Sequence, residues 1–113
     1  MARVIISESL KNEVMKRFKD ESKIIFRFMY SLSENPKKGK PIGQVGGILI
    51  KELRYKPFRF YFITDGFKLK ILNIEELSDL LIKFVRMSDK KDQQKVINEI
   101  KDILRKVGKE GFD

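Results

Sequence analysis

The sequence predicts an α+β fold, in which an N-terminal strand and two helices pack on an antiparallel meander sheet that is followed by C-terminal helices. Three observations carry this. Residues 46–72, GGILIKELRYKPFRFYFITDGFKLKIL, alternate apolar and polar side chains between turn residues, as half-buried strands do. Residues 8–32 carry two apolar stripes at helical spacing. Beyond Leu72 a capping pattern and a second set of helical stripes return.

Taken in order, the β-branched run Arg3, Val4, Ile5, Ile6 predicts an edge or second-edge strand. Ser7 is placed to cap a helix in which Leu10, Val14 and Phe18 recur every four positions, and Ser22 can start another with Ile24, Ile25, Phe28, Met29 and Leu32 on one stripe. Core packing accounts for both stripes. Residues 35–41 form a basic turn too rich in Pro and Gly to be helical. Gly43, Gly46 and Gly47 read as turn residues, since no phosphate-loop Lys follows them and no helix opens there. A loop at residues 55–58 sets Arg54 against Arg59 and Glu52 against Tyr61. Asp65 and Gly66 form a strong two-residue hairpin signal that sets Tyr61 against Lys70 on a third strand. From Asn73, with Glu76 three positions on, Leu77, Leu80, Leu81, Phe84 and Val85 predict a helix, although LLIKFVRM at residues 80–87 also alternates as a strand would. Ser88 is then expected to cap a last helix with Val96, Ile97, Ile100, Ile103 and Leu104 on its apolar face, stopped by Gly108. The 113 residues are expected to form one domain, with residues 1–73 as its core and residues 74–113 as a C-terminal helical extension.

Cysteine and histidine are both absent. Thiolate chemistry, disulfides and a histidine base are excluded, neither a metal nor a cofactor is expected, and any catalysis must use Glu, Asp, Lys, Arg or Tyr. No apolar run approaches the roughly 20 residues that span a bilayer, and no signal-like run opens the sequence, so a cytoplasmic location is expected. The net charge of +9 is clustered: residues 37–70 hold nine Lys/Arg against only Glu52 and Asp65. Such a surface favours a polyanion such as RNA over solubility alone as the reason for the charge.

Strand alternation puts Leu49, Leu53, Phe60, Phe62, Leu69 and Ile71 on a core face interrupted by Lys51. Glu52, Arg54, Arg59, Tyr61, Lys68 and Lys70 fall on the opposite, open face. The arginines suit bidentate phosphate contacts, Tyr61 suits stacking on a base, and Lys70 can neutralise charge on a leaving oxygen. The competing account is a cross-strand ion pair, with Glu52 satisfying the cations of a solvated sheet. Lys37, Lys38 and Lys40 read as backbone contacts or as solvated turn charges.

The order strand, two helices, basic Asn35 and Pro36 turn, then meander resembles the RelE/ParE superfamily of bacterial and archaeal toxins. Within it, Glu52, Leu53, Arg54 followed by Phe58, Arg59, Phe60, Tyr61 and then Asp65, Gly66 is similar to the core of the HigB-like branch. Phe84, Val85, Arg86 with Ser88 and Lys90 resembles that branch's following basic segment, with an insertion between. Ile50 and Glu52 stand where RelE proper carries paired lysines, and no counterpart of its fourth-strand Arg or C-terminal Tyr is evident after Ile74. The resemblance implies a RelE-like fold and a ribosome-dependent mRNA endonuclease, the toxin of a type II toxin–antitoxin system with a small acidic antitoxin as partner. It implies a catalytic set of Glu52, Arg54, Arg59 and Tyr61, with Glu52 as base near the 2′-hydroxyl, and RNA contacts from Lys37, Lys38, Lys40, Lys68, Lys70 and Arg86. The alternatives on the same scaffold are a non-catalytic RNA-, ribosome- or protein-binding module and a gyrase inhibitor.

Overall fold

The structure, a computed structural model, describes all 113 residues. Strand β1 (Arg3–Ile6) leads into helix α1 (Glu8–Phe18), whose first turn is capped by the Ser7 hydroxyl accepting from the Leu10 N–H at 3.3 Å. Helix α2 (Ser22–Tyr30) follows after a 3₁₀ turn, and the Ser22 hydroxyl donates to the Val14 carbonyl, tying the two helices together. Strands β3 (Ile48–Tyr55) and β4 (Phe58–Asp65) form the first two strands of the expected antiparallel meander, and strand β2 (Lys40–Val45), in a stretch expected to be turn, pairs antiparallel with β3 on its other side. Gly46, at φ +58°, and Gly47 make the first turn, whereas Gly43 lies within β2 at a bulge and is not a turn residue. The second turn is tighter than expected. Tyr55 pairs with Phe58, Lys56 takes φ +54° ahead of Pro57, and the register keeps Arg54 opposite Arg59 and Glu52 opposite Tyr61.

The meander ends there. Asp65 and Gly66 do not form a hairpin, because the Asp65 carboxylate accepts the Lys68 N–H at 3.0 Å and so caps helix α3 (Gly66–Ile71). The place beside β4 is taken instead by strand β5 (Leu81–Ser88), where a helix was expected. The physical reason is burial. Ile82, Phe84, Val85 and Met87 are all inaccessible in β5, so this strand is apolar on both faces, whereas residues 67–72 offer only Leu69 as a buried anchor. The capping box at Asn73 and Glu76 does form, but it starts only a 3₁₀ turn.

Strand β5 runs parallel to β1 and antiparallel to β4, giving a five-stranded mixed sheet in the order β1-β5-β4-β3-β2. Residues 74–113 are therefore not a helical extension, since they supply an interior strand. Helices α1 and α2 cover one face, where Leu10, Val14, Ile25 and Met29 meet Leu53, Phe60, Phe62 and Phe84. Helix α4 (Gln93–Lys106) covers part of the other, where Ile97, Ile100 and Leu104 meet Ile50, Ile63, Val85 and the ring of Tyr61. Ser88 does not cap it: Ser88 closes β5, and Asp89 caps the turn before the helix by accepting from the Lys91 and Asp92 N–H groups. Gly108, at φ +92°, ends α4 as expected, and the chain returns so that Lys83 donates to the Phe112 carbonyl. No helix is long and apolar enough to cross a membrane.

Candidate nucleic-acid interface

Register builds the site. Lys40 on β2 pairs with Glu52 on β3, Glu52 with Tyr61 on β4, and Tyr61 with Arg86 on β5. Two residues further along, on the same face, Arg54 pairs with Arg59 and Arg59 with Ser88. Partners in register share a face, so seven polar side chains on four neighbouring strands form two rows on the face that α4 covers in part. A bulge on β5 opposite the step from Tyr61 to Phe62 brings Arg86 to this face although Phe84 and Met87 both lie in the opposite core.

The two rows are not an open, solvated surface as expected. Glu52, Arg59 and Tyr61 are buried, whereas Lys40 and Arg54 are exposed and Arg86 is half-buried. Glu52 sits between two cations, with Oε1 3.8 Å from the Arg54 Nη2 and Oε2 3.9 Å from the Arg59 Nε. Those distances are too long for hydrogen bonds. Glu52 Oε2 and Arg59 Nε accordingly have no hydrogen-bond partner, although a second guanidinium nitrogen of Arg59 donates to the Pro57 carbonyl. A buried ion pair with orphaned polar atoms is expensive to keep. Beside it the Tyr61 hydroxyl and the Ser88 hydroxyl lie 2.7 Å apart, and burial raises the Tyr61 phenol above its ordinary range despite the opposing effect of Ser88. Tyr61 therefore stays a phenol at neutral pH. Arg86 pairs with Glu99 of α4 at 3.9 Å and lies over the Phe112 ring, 5.2 Å from its centroid.

No family model, curated protein or solved structure matches this chain.

The face offers phosphate two exposed cations, Lys40 and Arg54, flanking a buried carboxylate that holds the nearer arginine. Glu52 is too enclosed to meet a 2′-hydroxyl in this arrangement, and its geometry suits holding Arg54 and Arg59. Of the residues expected at the site, Glu52, Arg54, Arg59, Tyr61, Lys40 and Arg86 come together. Lys68 and Lys70 do not: they lie on α3, past the far end of β4, roughly 20 Å from Arg59 at about 3.3 Å per residue. Lys37 and Lys38 stay in the basic turn, where the Lys37 carbonyl accepts from Lys51 at 3.0 Å and Lys38 lies 4.8 Å from the centre of the Phe28 ring. Ser88 is the member that sequence reasoning placed wrongly. Reading residues 80–87 as a strand would have found it, because alternation then puts Ser88 beside Arg59. Lys51 is buried on the opposite face, and desolvation holds its ammonium below the usual lysine range. No cluster of three or more carboxylates is placed to hold a metal ion.

Proposed function

We propose that this chain is a RelE-like toxin that binds the RNA of the translating ribosome through the two-row face and acts there as an mRNA endonuclease. The observation that carries the reading is the register, which sets Lys40, Glu52, Tyr61 and Arg86 in one row with Arg54 and Arg59 beside it. It also supports the resemblance at its weakest stretch. With α3 and its following turn as the insertion, the segment from Phe84 to Ser88 returns to the sheet and supplies an arginine opposite Tyr61. In this reading Arg54 and Lys40 hold the phosphodiester, Arg59 and Glu52 brace them from beneath, and the un-ionised Tyr61 hydroxyl, shared with Ser88, serves as a hydrogen-bond donor near the phosphate. A small acidic antitoxin in the cytoplasm would be drawn to the same cations.

Expression without a partner should slow growth by blocking translation, and purified protein should cut mRNA only when ribosomes are present. A second reading, a non-catalytic binding module, is favoured by one observation: Glu52 and Arg59 are both buried. Ribosome binding with intact mRNA in primer extension selects that module. Normal growth with neither binding nor cleavage overturns both, and inhibited DNA supercoiling selects a gyrase inhibitor.

A further inference from the structure

Two of the lysines that the two-row face leaves out meet each other elsewhere. Lys37 of the basic turn and Lys70 of α3 line one shallow groove of about 360 Å³, together with Gln44, Leu49, Gly66 and Leu69. No carboxylate lines it, and Asp65 at the start of α3 is engaged by its own helix, where it accepts the Lys68 N–H. The turn that carries Lys37 is held in place. The buried Lys51 ammonium donates to the Lys37 carbonyl at 3.0 Å, and Lys38 lies over the Phe28 ring. Gly39, at φ +105°, runs so close to the sheet that a Cβ there would come within 2.8 Å of the Phe62 ring. Lys37 is therefore presented from ordered backbone, which lowers the entropy lost when it takes a ligand.

Continuity says which ligand. Leu49 and Leu69 pack on the α1 and α2 side of the sheet, whereas Lys40 belongs to the two rows on the α4 side, and β2 is the edge strand between them. A strand laid across the two rows and past Lys40 turns over that edge and meets Lys37, three residues away in the chain. Single-stranded RNA carries a phosphate at every step, so it can give an anion to Lys40, Lys37 and Lys70 in turn, and Leu49 offers one of its bases an apolar floor. We propose that the groove of Lys37 and Lys70 is a second RNA-binding site, which takes a phosphodiester of the same strand that Lys40 and Arg54 hold. The proposal rests on the RNA reading of the two-row face and extends it around the β2 edge.

The test is fluorescence anisotropy across a salt series with a single-stranded RNA of about 16 nucleotides, long enough to reach both sites. Lys37→Ala/Lys70→Ala removes two exposed side chains and should stay folded by circular dichroism. It should bind more weakly at low salt, with a slope of log affinity against log salt shallower by roughly 1.4, or about 0.7 for each phosphate contact. Removing the same charge elsewhere, at the exposed Lys23 of α2 and Lys106 of α4, should leave the slope unchanged in Lys23→Ala/Lys106→Ala. In amide spectra of the labelled parent, Gln44, Leu49 and Gly66 should shift on adding the RNA. A parental slope in Lys37→Ala/Lys70→Ala overturns the proposal while leaving the two-row reading to its own variants. An equal loss in Lys23→Ala/Lys106→Ala also overturns it, because the effect is then one of net charge. So do groove amides that shift with oligoglutamate and not with RNA, which would assign the groove to an acidic protein. A loss in the groove variant with none in Lys40→Ala/Arg54→Ala would keep the groove as an RNA site and remove the two-row reading instead.

Discussion

Replacing Arg59 by Met removes one partner of a buried pair and leaves the Glu52 carboxylate, itself 4% exposed, with only Arg54 at 3.8 Å. Two unit charges 3.9 Å apart, the separation of Glu52 and Arg59, attract by about 4 kcal/mol at an effective dielectric constant near 20. Stranding one buried partner generally costs about 3–5 kcal/mol. Because the pair is long and unbonded and Arg54 remains, Arg59→Met should cost about 3 kcal/mol. Glu52→Gln should cost about 1–2 kcal/mol, since Arg59 keeps its bond to the Pro57 carbonyl. The double variant should be less destabilised than the two singles added, by about 2 kcal/mol, because neither leaves a partner to strand. Urea denaturation followed by circular dichroism measures all four corners. Effects that add to within about 0.5 kcal/mol would refute the pairing, as would an Arg59→Met protein as stable as the parent. This differs from what an open face predicts, where both substitutions would leave stability untouched.

Ile100 is fully buried between α4 and the sheet, so Ile100→Ala should cost about 3 kcal/mol in the same assay, and a loss below about 1 would show that α4 does not dock there. Lys51 is held below its ordinary range by burial, so the folded chain releases that proton more readily than the unfolded chain. The parent should therefore gain stability relative to Lys51→Met as pH rises from the depressed folded value toward 10.5, the gain being complete above it; parallel curves would contradict this. Tyr61→Phe should remove one phenol from the alkaline absorbance titration at a pH above 10, and should cost about 1–2 kcal/mol by leaving the Ser88 hydroxyl unpaired. Loss of an early-titrating phenol instead would place Tyr61 in solvent.

The sequence was most legible where local signals agreed with burial. The stripe of α1, the Ile25, Met29 and Leu32 part of the second stripe, the Ser7 cap and the pairing of Glu52 with Tyr61 follow from periodicity and turn spacing alone, whereas Ile24, expected on the second stripe, is exposed. It misled where one local pattern served two structures. Asp65 followed by Gly66 suits a hairpin, yet an Asp side chain also caps a helix, and the choice was made by which segment of the chain could bury more beside β4. Residues 77–85 fit helical spacing because a strand buried on both faces is a continuous apolar run, which contains helical spacing as well. Misplacing β5 removed Ser88 from the site and put Lys70 opposite Tyr61, where Arg86 stands. Burial of Glu52 and Arg59 had no local signal, since it depends on what α4 and the chain around it cover.

The account's central claim is that the exposed cations of the two-row face hold phosphate. Fluorescence anisotropy with a single-stranded RNA, repeated across a salt series, tests it most directly in the parent and in Lys40→Ala/Arg54→Ala, two surface substitutions that leave the buried pair's arginine in place. Each lost phosphate contact should lower the slope of log affinity against log salt by about 0.7, so the double variant should bind more weakly at low salt with a slope shallower by roughly 1.4. Equal affinity and equal slope in the two proteins would contradict the claim.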